Sequence, residues 1–157
     1  MFKGYGGCDA GRVEAFEELL GFQLPTSYRN FLMAENGGSI RNCVVNCDTI
    51  GDIRLDVLFG LGLTDSLDLK FWHAEYRSEL PAGCFLIGST PGGMFILLGT
   101  DGELSGVYIY DPACEHKASS DEANTFYLCS DFSELCDKVA ILGTEKVEKI
   151  ERSKGQP

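Results

Sequence analysis

Residues 21–38 read GFQLPTSYRNFLMAENGG, and this stretch sets the frame for what lies on either side. Gly21 closes whatever helix precedes it, because glycine takes the left-handed position after a helix without a Cβ penalty. Leu24-Pro25 opens a second helix, since proline loses nothing in a first turn whose N–H has no acceptor. Tyr28, Phe31 and Leu32 follow at i, i+3 and i+4 as one apolar stripe, and Asn36-Gly37-Gly38 is the exit. None of these residue types in this order suits acid–base, nucleophilic or metal chemistry. The stretch reads as scaffold.

Working outward, residues 1–8 are glycine-rich and read as a loose lead. Asp9 is a good N-cap, and Val13, Phe16, Leu19 and Leu20 recur at helical spacing with Glu14, Glu17 and Glu18 on the wet face, which predicts a helix over 10–20. Two helices joined by so short a link pack on each other or on a common sheet. Downstream, 39–52 (SIRNCVVNCDTIGD) reads as irregular, with a short strand at most around 43–45. Ile53, Leu55 and Val57 alternate as a half-buried strand. Thr64 or Asp65 caps a third helix over 66–78, carrying Leu67, Phe71 and Ala74 and a second stripe of Trp72 and Tyr76, with Pro81 preventing its extension.

Short apolar runs then follow at 84–87, 94–98, 107–110 and 125–129. Pro91-Gly92-Gly93, Thr100-Asp101-Gly102 and Asp111-Pro112 are turn chemistry, so these runs form an antiparallel meander. Asp131 or Ser130 caps a last helix with Phe132, Leu135, Cys136 and Val139 on one face and Gly143 at its end; 144–157 is a charged tail. The order predicts an α+β fold: a mostly antiparallel sheet of four to six strands with helices packed on one face. One domain over 1–157, with its core at about 9–143, is expected from the length.

The chain carries 24 acidic against 13 basic residues, a net charge of −11. Such a surface repels phosphate backbones and anionic lipid and attracts cationic partners, which argues against nucleic-acid and membrane binding. No run of about 18 apolar residues exists, and the first residues lack a signal-peptide pattern, so a cytoplasmic protein is expected. Seven cysteines, odd in number and scattered, read as free thiols.

Candidate chemistry is sparse. Cys43 and Cys47 are the nearest approach to a metal pair, but no second pair stands at matched spacing, so no metal is expected. His73 and His116 are the two histidines, and no local pattern marks an activated thiolate beside them. Residues 88–93 (GSTPGG) lack the terminal lysine and following helix of a phosphate cradle and read as a hairpin turn. Asp101, Glu103, Asp111 and Glu115 gather at the meander's turns as solvated or partner-facing acids, and Tyr108 and Tyr110 alternate on one strand. No catalytic residue and no cofactor is expected, the remaining alternative being a metal-binding or thiol-based enzyme that uses Cys43, Cys47 and a histidine.

The residues also resemble a known family. Val13-Glu14-Ala15-Phe16-Glu17, then Leu19-Leu20-Gly21-Phe22-Gln23-Leu24-Pro25, Ser27-Tyr28, Phe31-Leu32 and Asn36-Gly37-Gly38 are similar to the SUKH superfamily, which includes fungal Smi/Knr cell-wall regulators and bacterial immunity proteins. Leu58-Phe59-Gly60-Leu61, Leu80-Pro81 with Phe85-Leu86-Ile87-Gly88 and Gly92-Gly93, Gly106-Val107-Tyr108-Ile109-Tyr110-Asp111 and Tyr127-Leu128-Cys129-Ser130-Asp131-Phe132 continue the resemblance in order. The segment at 42–52 and the tail depart from the pattern. The resemblance implies a non-catalytic binding module: an immunity protein that neutralises a toxin by direct contact, or a regulatory module for an endogenous partner. A toxin that is a nuclease has a basic surface, which the acidic balance suits. The residues expected to meet a basic toxin domain are the exposed acids and aromatics of the meander: Asp101, Glu103, Tyr108, Tyr110 and Asp111.

Overall fold

The computed structural model describes residues 2–120 and 123–141; the expected end of the last helix at Gly143 and the charged tail lie outside them. Helix α1 (Ala10–Leu20) begins where Asp9 accepts the Arg12 N–H and ends at Gly21, whose φ of 84° is left-handed. Leu19, expected on the apolar stripe, is instead 50% exposed. Glu17, expected on the wet face, turns inward enough to accept the Leu24 N–H at 2.7 Å and to meet Arg29 at 3.5 Å. Pro25 stands just before α2 (Thr26–Ala34) in extended geometry. At the exit of α2, Asn36 takes a φ of 55° and is buried. Its side chain donates to the Leu61 carbonyl at 2.9 Å and accepts from the Leu61 N–H at 2.8 Å, tying the helix pair to the middle of the chain.

A seven-stranded antiparallel sheet carries the molecule in the order β1-β2-β5-β6-β7-β8-β9. Its heart is the expected meander: β6 (Cys84–Ser89), β7 (Phe95–Gly99), β8 (Gly106–Tyr110) and β9 (Thr125–Cys129). The 88–93 stretch is the β6–β7 turn, in which Thr90 accepts the Met94 N–H at 3.1 Å. The small strands β1 (Lys3–Gly4), β2 (Gly38–Ser39) and β5 (Val57–Leu58) extend the sheet. The first residues are therefore paired rather than loose. The 39–52 segment, expected to be irregular, forms most of a hairpin of β3 (Cys43–Cys47) with β4 (Gly51–Arg54). With β10 (Ala140–Ile141) these make a separate three-stranded sheet in the order β10-β3-β4. The α+β class with a mostly antiparallel sheet is as expected, but helices pack on both faces of the sheet rather than one, and there are more strands than expected because two-residue strands leave no alternation to read.

The faces of the meander follow from its register. Phe85 lies opposite Leu98 and Phe95 opposite Tyr110. Residues 95 and 98 on one strand point to opposite faces, so Phe85 and Phe95 do too. Phe16 of α1 and Tyr28 of α2 meet the Phe85 ring at 5.8 and 5.6 Å, and Phe132 of α4 (Phe132–Lys138) meets Tyr28 at 5.0 Å. On the opposite face lies α3 (Leu69–Tyr76), whose Trp72 and Tyr76 rings stand 5.2 and 5.0 Å from Phe95. Helix α4 is shorter than expected: Val139 is already extended, and β10 begins after it to pair with β3. The buried residues of helices and both sheets form one continuous hydrophobic core. Each large apolar side chain buried there contributes about 1.5–3 kcal/mol. Among the described residues, no helix is long and apolar enough to cross a membrane.

Candidate functional site

The Phe95 face of the sheet is only partly roofed. Helix α3 covers Phe95 and reaches Tyr110, whose ring lies 6.2 Å from Tyr76. The chain then turns away: Glu79 donates its N–H to the Tyr76 carbonyl and Leu80 to that of Arg77, and Pro81 forbids further helix. Gly83, with a φ of 81°, brings the chain back into β6. A cleft of about 330 Å³ opens between this turn and β8, with Leu80, Pro81, Leu97, Tyr108 and Tyr110 along it. Leu104 closes one side of it, at the end of a 3-10 turn over Gly102–Leu104. That turn can sit so close to the sheet only because residue 99 is glycine: a Cβ there would lie 1.7 Å from the Leu104 carbonyl oxygen.

Beside the cleft, Tyr127 of β9 stands directly across from Tyr108, and the two rings meet edge to face at 5.7 Å. Tyr127 is 53% exposed and Leu104 38%, which puts two of the molecule's exposed large apolar side chains on this one surface. Its rim is acidic. Glu75, Glu79, Asp101 and Glu103 are exposed. Burial, reinforced by Glu79 and Tyr76, raises the Tyr110 hydroxyl above its ordinary value; burial, with Glu79 and Glu75, does the same for Tyr76. Both phenols are therefore neutral at physiological pH, and Glu79 and Glu75 stand close enough to be felt by them. Among the described residues the ion pairs join Arg29 to Glu14 and Glu17 and Arg41 to Asp56. None of them neutralises a rim carboxylate.

Of the residues expected to meet a partner, Asp101 and Glu103 lie exposed and Tyr108 is half-buried on the cleft. Tyr110 and Asp111 correct the expectation of exposure. Tyr110 is 7% exposed because Tyr76 of α3 packs against it, and Asp111 is 0% exposed. The Asp111 carboxylate organises its own loop, accepting the N–H groups of Glu115 and His116, each at 2.9 Å, and the Ser119 hydroxyl at 2.5 Å. Burial opposes its ionisation. The bonds from Ser119, His116 and Glu115 outweigh that and hold the carboxyl below the usual range. Asp111 is a loop staple rather than a presented charge.

Glu79, Leu104 and Tyr127 also lie on this surface and are not among the residues expected to meet a partner. The alternation of Thr125 and Tyr127 with Phe126 and Leu128 was a signal for Tyr127; that for Leu104 was absent, since only the fold brings a turn residue over β7. Cys43 and Cys47 are buried on β3, and the Cys47 thiol points at the Tyr127 carbonyl at 3.4 Å. His73 is half-buried on α3, and burial, then the Arg77 charge, lowers its pKa, so it is neutral at physiological pH. Among the described residues, no group of three or more His, Cys, Asp or Glu side chains is placed to hold a metal ion.

Comparison with known proteins places this geometry in a family. The family model described as SMI1 / KNR4 family (SUKH-1) matches residues 7–138. The search of curated proteins gave no match.

Proposed function

Because the chain belongs to the SMI1 / KNR4 family (SUKH-1), we propose that it is a non-catalytic protein-binding module, an immunity protein that neutralises a basic toxin domain by direct docking. The observation that carries this reading is the acid-rimmed groove. Its exposed Tyr127 offers an anchor of the kind enriched in interface hot spots, Leu104 adds exposed apolar surface beside it, and among the described residues no ion pair satisfies its carboxylates. A toxin that cuts nucleic acid must itself be cationic where it grips phosphate. An acidic face on a chain of net charge −11 is steered to that surface and excludes the substrate by occupying it. No bond need be made or broken by the module.

The test is functional. This reading expects a toxin domain encoded beside the gene; expressed alone, that domain should arrest growth, and co-expression of this chain should restore it through a stable one-to-one complex. Failure to rescue, together with recovery of a host regulatory protein as the stoichiometric partner, would sink the immunity reading in favour of an endogenous one.

A further inference from the structure

The cleft at the centre of the groove is built on a smaller scale than a protein interface. Its volume, about 330 Å³, stands at the lower end of the range of about 300–1,000 Å³ for small-molecule sites. That suits one inserted side chain. Its lining is specific: it combines the aromatic Tyr108 and Tyr110, the apolar Leu80 and Pro81 and the acid Glu79. Tyr108 is held by its edge-to-face contact with Tyr127 and by its hydroxyl, which donates to the Ser105 carbonyl at 3.5 Å. The geometry points to a socket for a single arginine side chain of the partner, its guanidinium against the Tyr108 ring and paired with the Glu79 carboxylate. This rests on the basic-partner reading of the same face and says which part of the partner enters it.

Three physical arguments select arginine. A planar guanidinium stacks on an aromatic face and still presents N–H donors in its plane to a carboxylate, which the compact lysine ammonium cannot do at once. The apolar wall of Leu80 and Pro81 suits an aliphatic stem. A second copy of this chain is disfavoured as the occupant, because two acidic rims would face each other. Glu79 is the one acid among the cleft-lining residues, so it is the group that turns an aromatic slot into a cation site.

The experiment uses the full chain with tyrosine ring signals resolved by NMR. N-acetylarginine methylamide, its lysine counterpart and its citrulline counterpart are titrated separately. The arginine probe should give saturable shifts centred on Tyr108 and Tyr110, lysine should bind at least threefold more weakly, and citrulline, which keeps the shape and loses the charge, should not bind. Glu79→Gln should weaken arginine binding at least fivefold, while Glu18→Gln on exposed α1 leaves it unchanged. Equal shifts with citrulline, shifts spread over other acidic surfaces, or an unaltered Glu79→Gln titration would overturn the socket. A basic toxin domain that still binds the groove in that event leaves the proposed function standing. A probe that binds as expected beside a toxin domain that does not bind leaves the socket standing and removes the immunity reading.

Discussion

Asp111 is acidic, follows a tyrosine-rich strand and precedes a proline, which marks a turn; nothing in that pattern says that its carboxylate faces inward. The inward turn becomes visible only when residues 115, 116 and 119 fold back to donate to it. Asp111→Ala should therefore destabilise the protein by about 2–3 kcal/mol in denaturant unfolding, through lost bonds to a charged acceptor and stranded donors. Its pH dependence has a definite sign. A carboxyl held below its unfolded value of about 3.9 contributes stability above that pH and loses it as pH falls through the folded value. The protection of the Glu115 and His116 amides, as the exchange rate relative to that of an unfolded chain at the same pH, should fall below about pH 4 and stay flat from there to neutrality. Asn36 is the contrasting residue. Asn-Gly-Gly was legible as a helix exit, but the paired bonds to Leu61 were not. Asn36→Ala should cost about 2–3 kcal/mol, since it leaves two buried backbone groups unpaired.

Among the elements, legibility followed length and one-sided burial. Helix α1 was readable to its ends because Asp9 and Gly21 act through local geometry alone. The β3–β4 hairpin was not, because Cys43, Val44 and Val45 are buried on successive positions and show no alternation. Helix α4 carried a stripe that continued to Val139, yet pairing of β10 with β3 ends it at Lys138, a tertiary preference overriding a local one. Helix α3 matters most to the groove. Its cap is Asp68, buried, accepting from Lys70 N at 2.8 Å and Leu63 N at 3.0 Å. Asp68→Ala should cost about 1–2 kcal/mol. Because Trp72 stacks on Phe59 and leans on Phe95, the same variant should alter Trp72 fluorescence before global unfolding begins.

At the scale of the whole molecule, charge and shape act together. The net −11 was legible from composition, and with it the sign of the proposed partner. Which acids the proposed interface would use was not, since Asp101 and Glu103 are distant in sequence from Glu79. Steering by this field should make association with a basic toxin domain salt-dependent. Raising ionic strength from about 0.01 M to 1 M shortens the screening length from about 30 Å to about 3 Å, and the association rate should fall at least tenfold, with a smaller change in dissociation. The most direct measurement is the affinity of that toxin domain for a triple charge reversal, Glu79→Lys with Asp101→Lys and Glu103→Lys, by calorimetry, with thermal unfolding as the check that the fold persists. All three positions are exposed, so the melting temperature should stay within a few degrees. Binding at least 100-fold weaker is expected. Affinity unchanged within twofold in a folded variant would contradict it.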